Sequence, residues 1–147
     1  MAEKILFTAR VNRHLEAFHV PYMQLLKDMG YEIHTAAGGS MTASCVDRHF
    51  DIDFARLPFE LRNIRAYREL KRVVDGEGYK LIHCHTPTSS VITRLAARKA
   101  RKRGTTVLYT AHGFRFFGAA SLADKVIFRN IERFSARFTD HIWTINR

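Results

Sequence analysis

Short apolar segments without helical spacing recur along the chain, and each is followed by a polar or glycine-containing stretch. Segments of this length and pattern predict buried β-strands. The fifth segment is also rich in β-branched residues, which favour strands. The predicted strands cover residues 4–9, 31–37, 51–54, 80–84, 105–110 and 141–145.

Between these strands, apolar residues recur at intervals of three and four positions, which is typical of amphipathic helices. Proline near a helix start and glycine at a helix end mark most of the boundaries. The last helix begins at Ser121, which forms a capping-box pattern with Asp124. The predicted helices cover residues 21–30, 64–78, 87–104 and 121–138. Their expected apolar faces consist of Tyr22, Leu25, Leu26 and Met29; Ile64, Tyr67, Leu70 and Val74; Val91, Ile92, Leu95, Ala96 and Ala100; and Ile127, Ile131, Phe134 and Phe138.

Strands that alternate with helices of this length predict a parallel sheet with right-handed crossovers. We therefore expect an α/β fold, with a Rossmann-like parallel sheet and helices on both faces. No repeat or internal linker divides residues 1–147, so they are expected to form one domain. The chain ends two residues after the last predicted strand, where a doubly wound half usually continues, so we expect it to be cut at a domain boundary.

Composition narrows the partner class. The chain has 147 residues, 46% of them apolar, which is enough for one domain with a sizeable core. Lys and Arg number 24 against 14 Asp and Glu, a net charge of +10, which indicates an anionic partner. No window approaches the roughly 20 apolar residues of a membrane-spanning helix. The two cysteines lack CxxC or metal-site spacing and are expected to be buried thiols in a reducing cytoplasm.

The basic residues form two groups, one on the second predicted helix and one at the end of the third. Three interpretations remain open: solvated helix faces, contact with an anionic membrane surface, and binding of nucleic acid. Nucleic acid is disfavoured because aromatic residues are not interleaved with the basic ones. The candidate membrane-contact residues are Arg62, Arg65, Arg68, Arg72, Arg98, Lys99, Arg101, Lys102 and Arg103.

The candidate ligand site lies beyond the carboxyl ends of the strands, where parallel sheets of this kind bind ligands. Histidines, hydroxyls and glycines are concentrated in these segments. Imidazole can donate or accept a hydrogen bond near neutral pH, which suits phosphate and sugar hydroxyls. The segments are residues 10–14, 38–44, 83–88, 112–119 and Asn146.

Three more specific sites are not expected. His83-Cys84-His85 is interpreted as directing its two imidazoles to opposite faces of a strand, and no third ligand is evident, so we predict no metal site. No GxGxxG sequence follows the first strand, which disfavours NAD or FAD. The chain also contains no GxxxxGK[ST] phosphate loop.

Several segments, taken in order, resemble bacterial family 4 glycosyltransferases, and in particular enzymes of capsule, exopolysaccharide and O-antigen (lipopolysaccharide) assembly. Together they span residues 4 to 146. They are KILFTA at 4–9, FHVPY at 18–22 ahead of GYEIH at 30–34, LIHCHTP at 81–87, TRLAARK at 93–99, YTAHGF at 109–114 and FTDHIWTIN at 138–146.

This resemblance implies a two-domain GT-B fold, of which residues 1–147 would be the N-terminal, acceptor-binding half. The C-terminal half, which binds the nucleotide sugar, would be absent from this chain. The implied reaction moves a sugar from a nucleotide-sugar donor to a lipid-linked or saccharide acceptor, with retention and without a metal or other cofactor. It would occur at the cytoplasmic face of the cell membrane. The alternative is a stand-alone Rossmann-like module that binds nucleic acid or acidic lipid through its basic helix faces.

The resemblance also assigns residues. His112 matches the histidine that approaches the donor sugar, although it could instead cap a turn. Residues 12–14 lie on the first strand-to-helix loop, which has no glycine here although many members have one. The implied catalytic residue is His112, and the implied donor- or acceptor-binding residues are Asn12, Arg13, His14, His85, Thr86, Ser89, Gly113 and Phe114. The remaining histidines, His19, His34, His49, His83 and His141, are expected to be structural.

Overall fold

A six-stranded parallel sheet forms the centre of the chain, with the strand order β3-β2-β1-β4-β5-β6. The computed structural model describes residues 1–113 and 121–145. The strands are β1 (Lys4–Val11), β2 (Glu32–Gly38), β3 (Arg48–Asp51), β4 (Leu81–His85), β5 (Thr106–Ala111) and β6 (His141–Thr144). The helices are α1 (Asn12–Phe18), α2 (Val20–Asp28), α3 (Arg62–Glu77), α4 (Pro87–Ala96), α5 (Arg98–Lys102) and α6 (Leu122–Ala136). The predicted Rossmann-like fold class is confirmed.

The core has two layers, one on each face of the sheet. Successive side chains of a strand point to opposite faces, so β1 contributes to both layers. Ile5 and Phe7 pack with Leu15 of α1 and Met23 of α2. Leu6, which lies between them in sequence, packs on the other face with α3 and α4. Central strands buried on both sides need almost continuous apolar sequence, which explains why the strand prediction succeeded there.

Three predicted elements differ from the structure. Helix α1 was predicted as a polar stretch, because in seven residues it buries only Asn12 and Leu15 and shows no periodicity. Strand β3 lies about three residues earlier than predicted. Three of its four residues are polar, and only Phe50 packs against the core, whereas Ile52 and Phe54, which suggested the strand, enter the core from the following loop. The third predicted helix is two helices that meet at Ala97.

The expected apolar face of α2 is wrong for three of its four residues, all but Leu26. Tyr22, Leu25 and Met29 are each more than half exposed. Met23 is fully buried instead, and Val20 and Leu26 pack partly against the same layer. The buried face therefore follows the spacing 20, 23 and 26, one position away from the predicted stripe.

Both cysteines are free and buried, as predicted. Burial raises the pKa of the Cys84 thiol to about 12, so this sulfur stays protonated and unreactive near neutral pH.

Candidate functional site

The candidate site lies between β1 and β4, where the order in which the chain adds strands to the sheet reverses. From β1 the chain moves outward to β2 and β3, then returns to pair β4 with the opposite edge of β1. Helix α1 leaves β1 on one face, and α4 leaves β4 on the other face. The carboxyl ends of β1 and β4 are thereby left between diverging helices. A crevice of this kind is the usual ligand site of doubly wound sheets.

Five histidines meet at this edge, and we call them the histidine cluster: His14, His19, His83, His85 and His112. His14 lies on α1, and His19 lies between α1 and α2. His83 and His85 end β4, and His112 follows β5. The cluster thus draws on the three adjacent strands β1, β4 and β5, or on the segments that leave them.

The rings of the histidine cluster are in direct contact. Nε2 of His112 lies 3.4 Å from Nε2 of His14 and 3.2 Å from Nδ1 of His85. The rings of His14 and His112 meet edge to face, with centroids 4.6 Å apart. His19 stacks on His85 with a centroid separation of 3.7 Å.

The expectation that His83 and His85 point to opposite faces is wrong. Residues two apart on a strand point to the same face. Accordingly, their ring centroids lie 4.1 Å apart. Nε2 of His83 also lies within hydrogen-bonding distance of the Thr110 hydroxyl, at 2.8 Å. The reasoning that excluded a metal site therefore fails, because His14 and His112 supply further nitrogens beside His85.

Burial keeps these imidazoles neutral near pH 7. Loss of solvation lowers the pKa of His14 and that of His19 to about 4, and that of His83 to about 3. The same cause lowers the pKa of His85 strongly and also lowers that of His112. Neutral imidazole offers one N–H donor and one lone pair, so each ring can accept as well as donate.

Some buried polar atoms in and beside the histidine cluster have no hydrogen-bond partner among the described residues. Nε2 of His19 and Nε2 of His85 are buried and have no partner in the part of the chain that the structure describes. Oδ1 of Asn12, at the start of α1, is also buried without a hydrogen-bond partner in that part of the chain. Each unsatisfied buried polar atom costs about 1–3 kcal/mol of stability. A concentration of unsatisfied buried polar atoms at one edge of the sheet indicates a ligand-binding site and not only a packed core.

A strained residue borders the cluster. Thr86 has φ 60° and ψ 141°, a conformation that residues with a Cβ rarely adopt. Its Oγ1 accepts a hydrogen bond from the Arg10 amide at 3.0 Å and lies 2.6 Å from Oγ of Ser89. These contacts tie β4 to β1 at the crevice. Backbone strain of this kind costs about 1–3 kcal/mol and is found mainly at functional sites.

The other predicted binding residues divide into accessible and inaccessible ones. Arg13 is exposed, and Gly113 follows His112 with φ 149°, a value that favours glycine. Asn12 is buried, and its Nδ2 donates to the carbonyl of Ser40. Phe114 lies outside the described residues.

Ser89 does not line an acceptor surface, which corrects the prediction. It is fully buried, and its hydroxyl donates to the carbonyl of His85 at 2.7 Å. Ser89 thus holds the end of β4 in place. His85 is fully buried as well, whereas His14, His83 and His112 are partly exposed, so these three are the members of the cluster that a ligand can contact first.

Sequence reasoning missed His19 and His83, which were expected to be structural. The alternation of side chains along a strand could have placed His83 beside His85. No periodicity could have joined His14 to His19, because the helix breaks at His19. His34 is structural as expected, since it contacts the Tyr79 hydroxyl and Glu32.

Lys71, from the helix of the first basic group, lines the same groove as Arg98, Lys99, Arg101 and Lys102 of the second group. Helix α3 packs beside α4 and α5. The groove between them measures about 490 Å³. We call this surface the basic groove, and it is lined by Tyr67, Lys71, Leu95, Ala96, Arg98, Lys99, Arg101, Lys102, Arg137 and Phe138.

Several of the predicted membrane-contact residues form ion pairs. Arg62 pairs with Glu60 and Asp53, Arg65 with Glu69, Arg101 with Asp140, and Arg103 with Asp75. Arg68, Arg72, Lys99 and Lys102 are exposed. In the part of the chain that the structure describes, no helix is both long enough and apolar enough to cross a membrane.

The chain matches Glycosyltransferase Family 4 over residues 22–147. This match covers most of the chain, and the chain therefore belongs to that family. It is 46% identical over 146 residues to the Bacillus subtilis (strain 168) protein named "Putative glycosyltransferase EpsD". That alignment covers 99% of this chain and 38% of the relative.

Two further similarities fit the same family and fold. The chain is 27% identical over 92 residues to the Escherichia coli "UDP-Gal:alpha-D-GlcNAc-diphosphoundecaprenol alpha-1,3-galactosyltransferase", covering 58% of this chain and 23% of that protein. The crystal structure of Acinetobacter baumannii MurG superposes with a TM-score of 0.61 at 11% identity, over 98% of this chain and 41% of that one. At this identity MurG shares the fold alone. The chain spans less than half the length of each of these proteins.

Proposed function

We propose that this chain is the acceptor-side half of a retaining hexosyltransferase that assembles a cell-surface polysaccharide. The enzyme moves a sugar from a nucleotide-sugar donor to a lipid-linked or saccharide acceptor, on the inner face of the cell membrane. Membership of Glycosyltransferase Family 4 is the observation that carries this proposal. The name of the Escherichia coli relative, which specifies a UDP-sugar and a diphosphoundecaprenol acceptor, supports the substrate classes.

The geometry of the site supports the same assignment. His14, His83 and His112 are the partly exposed members of the histidine cluster, at the edge of the sheet where ligands bind. Arg13, also exposed, adds a positive charge at the start of α1, next to His14 in sequence. Neutral imidazoles beside a guanidinium suit sugar hydroxyls and the phosphates of a donor or a lipid-linked acceptor.

A transfer assay on the longer protein that contains this chain tests the proposal. The protein is incubated with a panel of nucleotide sugars and a polyprenyl-diphosphate-linked acceptor, and the glycosylated lipid is measured by mass spectrometry. We expect one nucleotide sugar to give product, with the anomeric configuration of the donor retained. Hydrolysis of donor without any glycosylated acceptor would contradict a transferase.

The 147-residue chain alone is expected to bind nucleotide sugars weakly and to transfer none. Catalysis requires donor and acceptor to be held close together in a reactive orientation, and we assign the donor site to a further domain. Isothermal titration calorimetry of the chain with each nucleotide sugar measures this directly. Micromolar affinity for any of them would show that donor binding resides in these residues.

The basic groove is expected to hold the enzyme on anionic membranes. Each basic residue near such a surface contributes roughly 1 kcal/mol, so replacing both Lys99 and Lys102 with glutamine should weaken binding by about 2 kcal/mol. Vesicle sedimentation at increasing phosphatidylserine content and increasing salt measures the effect. Binding should require anionic lipid and weaken with salt, because exposed charges are screened.

A second double variant serves as the matched control for the vesicle experiment. Replacing Lys27 and Lys80 with glutamine removes the same charge away from the groove. An equal loss in both double variants would mean that net charge, and not the groove, drives binding. Tighter binding to DNA than to vesicles would instead favour the module that binds nucleic acid.

A further inference from the structure

Exposed apolar side chains are concentrated at the loop that joins β3 to α3. Leu57, Phe59, Leu61 and Ile64 are each between 47% and 81% exposed, and we call these four residues the apolar tip. Single apolar residues on a surface are common, whereas an exposed group of them marks an interaction site. Four large apolar side chains within eight consecutive positions are such a group, so the apolar tip is a candidate contact surface.

Buried hydrogen bonds hold the loop of the apolar tip in place. The side chain of Asn63 is buried, and its Oδ1 accepts a hydrogen bond from the Ala55 amide at 3.0 Å. Its Nδ2 donates to the carbonyls of Leu57 and Pro58, at 2.8 and 3.2 Å. Because both polar atoms of this buried amide bond the loop backbone, the loop has a defined conformation that presents its apolar side chains to solvent.

Arginines follow the apolar tip along the exposed face of α3. Residues 56–72 contain six basic residues and two acidic ones. Arg65, Arg68 and Arg72 are exposed and are separated by three and four positions, so they lie on one side of the helix. Exposed apolar side chains beside a row of cations suit an anionic membrane, because hydrocarbon accepts the apolar groups and lipid phosphates attract the cations.

A second exposed apolar surface, on α2, lacks this excess of positive charge. Tyr22, Leu25 and Met29 are more than half exposed on this helix or directly after it. The helix carries one cation, Lys27, and one anion, Asp28, so it has no net charge. Charge complementarity with an anionic membrane therefore favours the apolar tip over α2.

The apolar tip lies on the same face of the sheet as the basic groove and beside the candidate site. Ala66 and Leu70 of α3 pack in the core layer opposite to that of α1 and α2, and Lys71 lines the groove. The hydroxyl of Thr88, in the first turn of α4, donates to the carbonyl of Arg56 at 2.8 Å. This bond attaches the loop to the helix that follows the carboxyl end of β4. The apolar tip, the exposed face of α3 and the basic groove can therefore contact one membrane surface next to the site.

We propose that the apolar tip inserts into the interface of an anionic membrane, with Phe59 and Leu61 at the boundary between headgroups and acyl chains. This proposal rests on the proposed function, because it states how the enzyme is held beside a lipid-linked acceptor. It differs from the contact of the basic groove, to which cations contribute the attraction. Salt screens charges but not apolar contacts, so part of the membrane affinity remains at high ionic strength.

Sedimentation of the 147-residue chain with vesicles of phosphatidylcholine and phosphatidylserine measures the contribution of the apolar tip. Phe59→Ser/Leu61→Ser should weaken binding by at least about tenfold, because even partial burial of two such side chains is worth that factor. The matched control, Tyr22→Ser/Leu25→Ser, removes an aromatic residue and a leucine from α2 and should bind as the parent chain does. All four residues are more than half exposed, and circular dichroism confirms that both double variants are folded.

Fluorescence distinguishes insertion into the membrane from contact at its surface. Trp143 is the single tryptophan of the chain, so Phe59→Trp in a Trp143→Phe background carries one reporter at the apolar tip. Phospholipids brominated on their acyl chains should quench this reporter. Tyr22→Trp in the same background places the reporter on α2, where the same vesicles should quench it little.

The proposal is overturned if the parent chain does not bind the vesicles, or if the Phe59/Leu61 variant binds them as tightly as the parent chain does. A larger loss in the Tyr22/Leu25 variant would place the membrane contact on the other face of the sheet. If the Phe59/Leu61 variant loses self-association in solution but binds vesicles normally, the apolar tip contacts a second copy of the chain instead. Sugar transfer is assayed separately with a detergent-solubilised acceptor, so failure of the transfer reaction and failure of membrane insertion are distinguishable.

Discussion

Replacing His112 with alanine is expected to lower kcat/KM for sugar transfer by the longer enzyme. The expected loss of transition-state stabilisation is about 2–4 kcal/mol, as for a lost electrostatic donor. In a retaining transfer the departing phosphate gains negative charge while the sugar acquires oxocarbenium character. His112 follows the carboxyl end of β5 and is partly exposed at the candidate site, where it can contact the reacting groups. Contacts that strengthen in the transition state lower kcat when they are removed.

The unfolding temperature of this variant should change little. Among the described residues, the His112 side chain contacts His14, Phe18, His19 and His85, and it is not part of either main core layer. Steady-state kinetics and a thermal melt are measured on the same preparation. Normal turnover, or a large loss of stability, would show that His112 is a turn residue.

The sequence predicted the fold where burial on both faces left a clear pattern. β1 and β5 are mostly apolar, and β4 begins with Leu81 and Ile82 and buries Cys84, because these strands are covered on both faces of the sheet. The prediction was wrong or displaced where one or two residues carry the packing, as in α1 with Leu15. It was also displaced where core residues lie in a loop, as Ile52 and Phe54 do. A periodic sequence pattern arises from repeated packing contacts, and these segments make too few contacts to produce one.

The site was only partly predictable, for a different reason. The rule that ligands bind beyond strand ends placed His14, His83 or His85, and His112 at the candidate site, and the family resemblance then selected His14, His85 and His112. It could not show that His19 stacks on His85, because this contact depends on the break between α1 and α2. Similarly, Lys71 shares a groove with the second basic group only because α3 packs beside α5. Such contacts between distant segments are set by tertiary packing and leave no local pattern.

Arg94 shows how misleading a run of charges can be. It belongs to the second basic group in sequence, yet it is fully buried. Its Nη2 donates to Glu132 of α6 at 2.9 Å, its Nε donates to the carbonyl of Ser90 at 3.1 Å, and its guanidinium lies 4.4 Å from the ring centroid of Tyr109. Arg94 therefore links α4, β5 and α6 and offers nothing to a membrane.

Replacing Glu132 with alanine is expected to lower the free energy of unfolding by about 3–5 kcal/mol, because it leaves a buried guanidinium without its counter-charge. Urea denaturation at neutral pH measures this loss, which is a large share of the 5–15 kcal/mol typical of a domain. The matched control is Glu69→Ala, which breaks the exposed pair with Arg65 and should cost only about 0.3–0.5 kcal/mol. The double variant Arg94→Met/Glu132→Leu should recover most of the stability, since apolar packing often replaces a buried ion pair without net cost. A single Glu132 variant as stable as the Glu69 control would show that Arg94 is solvated, contrary to its complete burial.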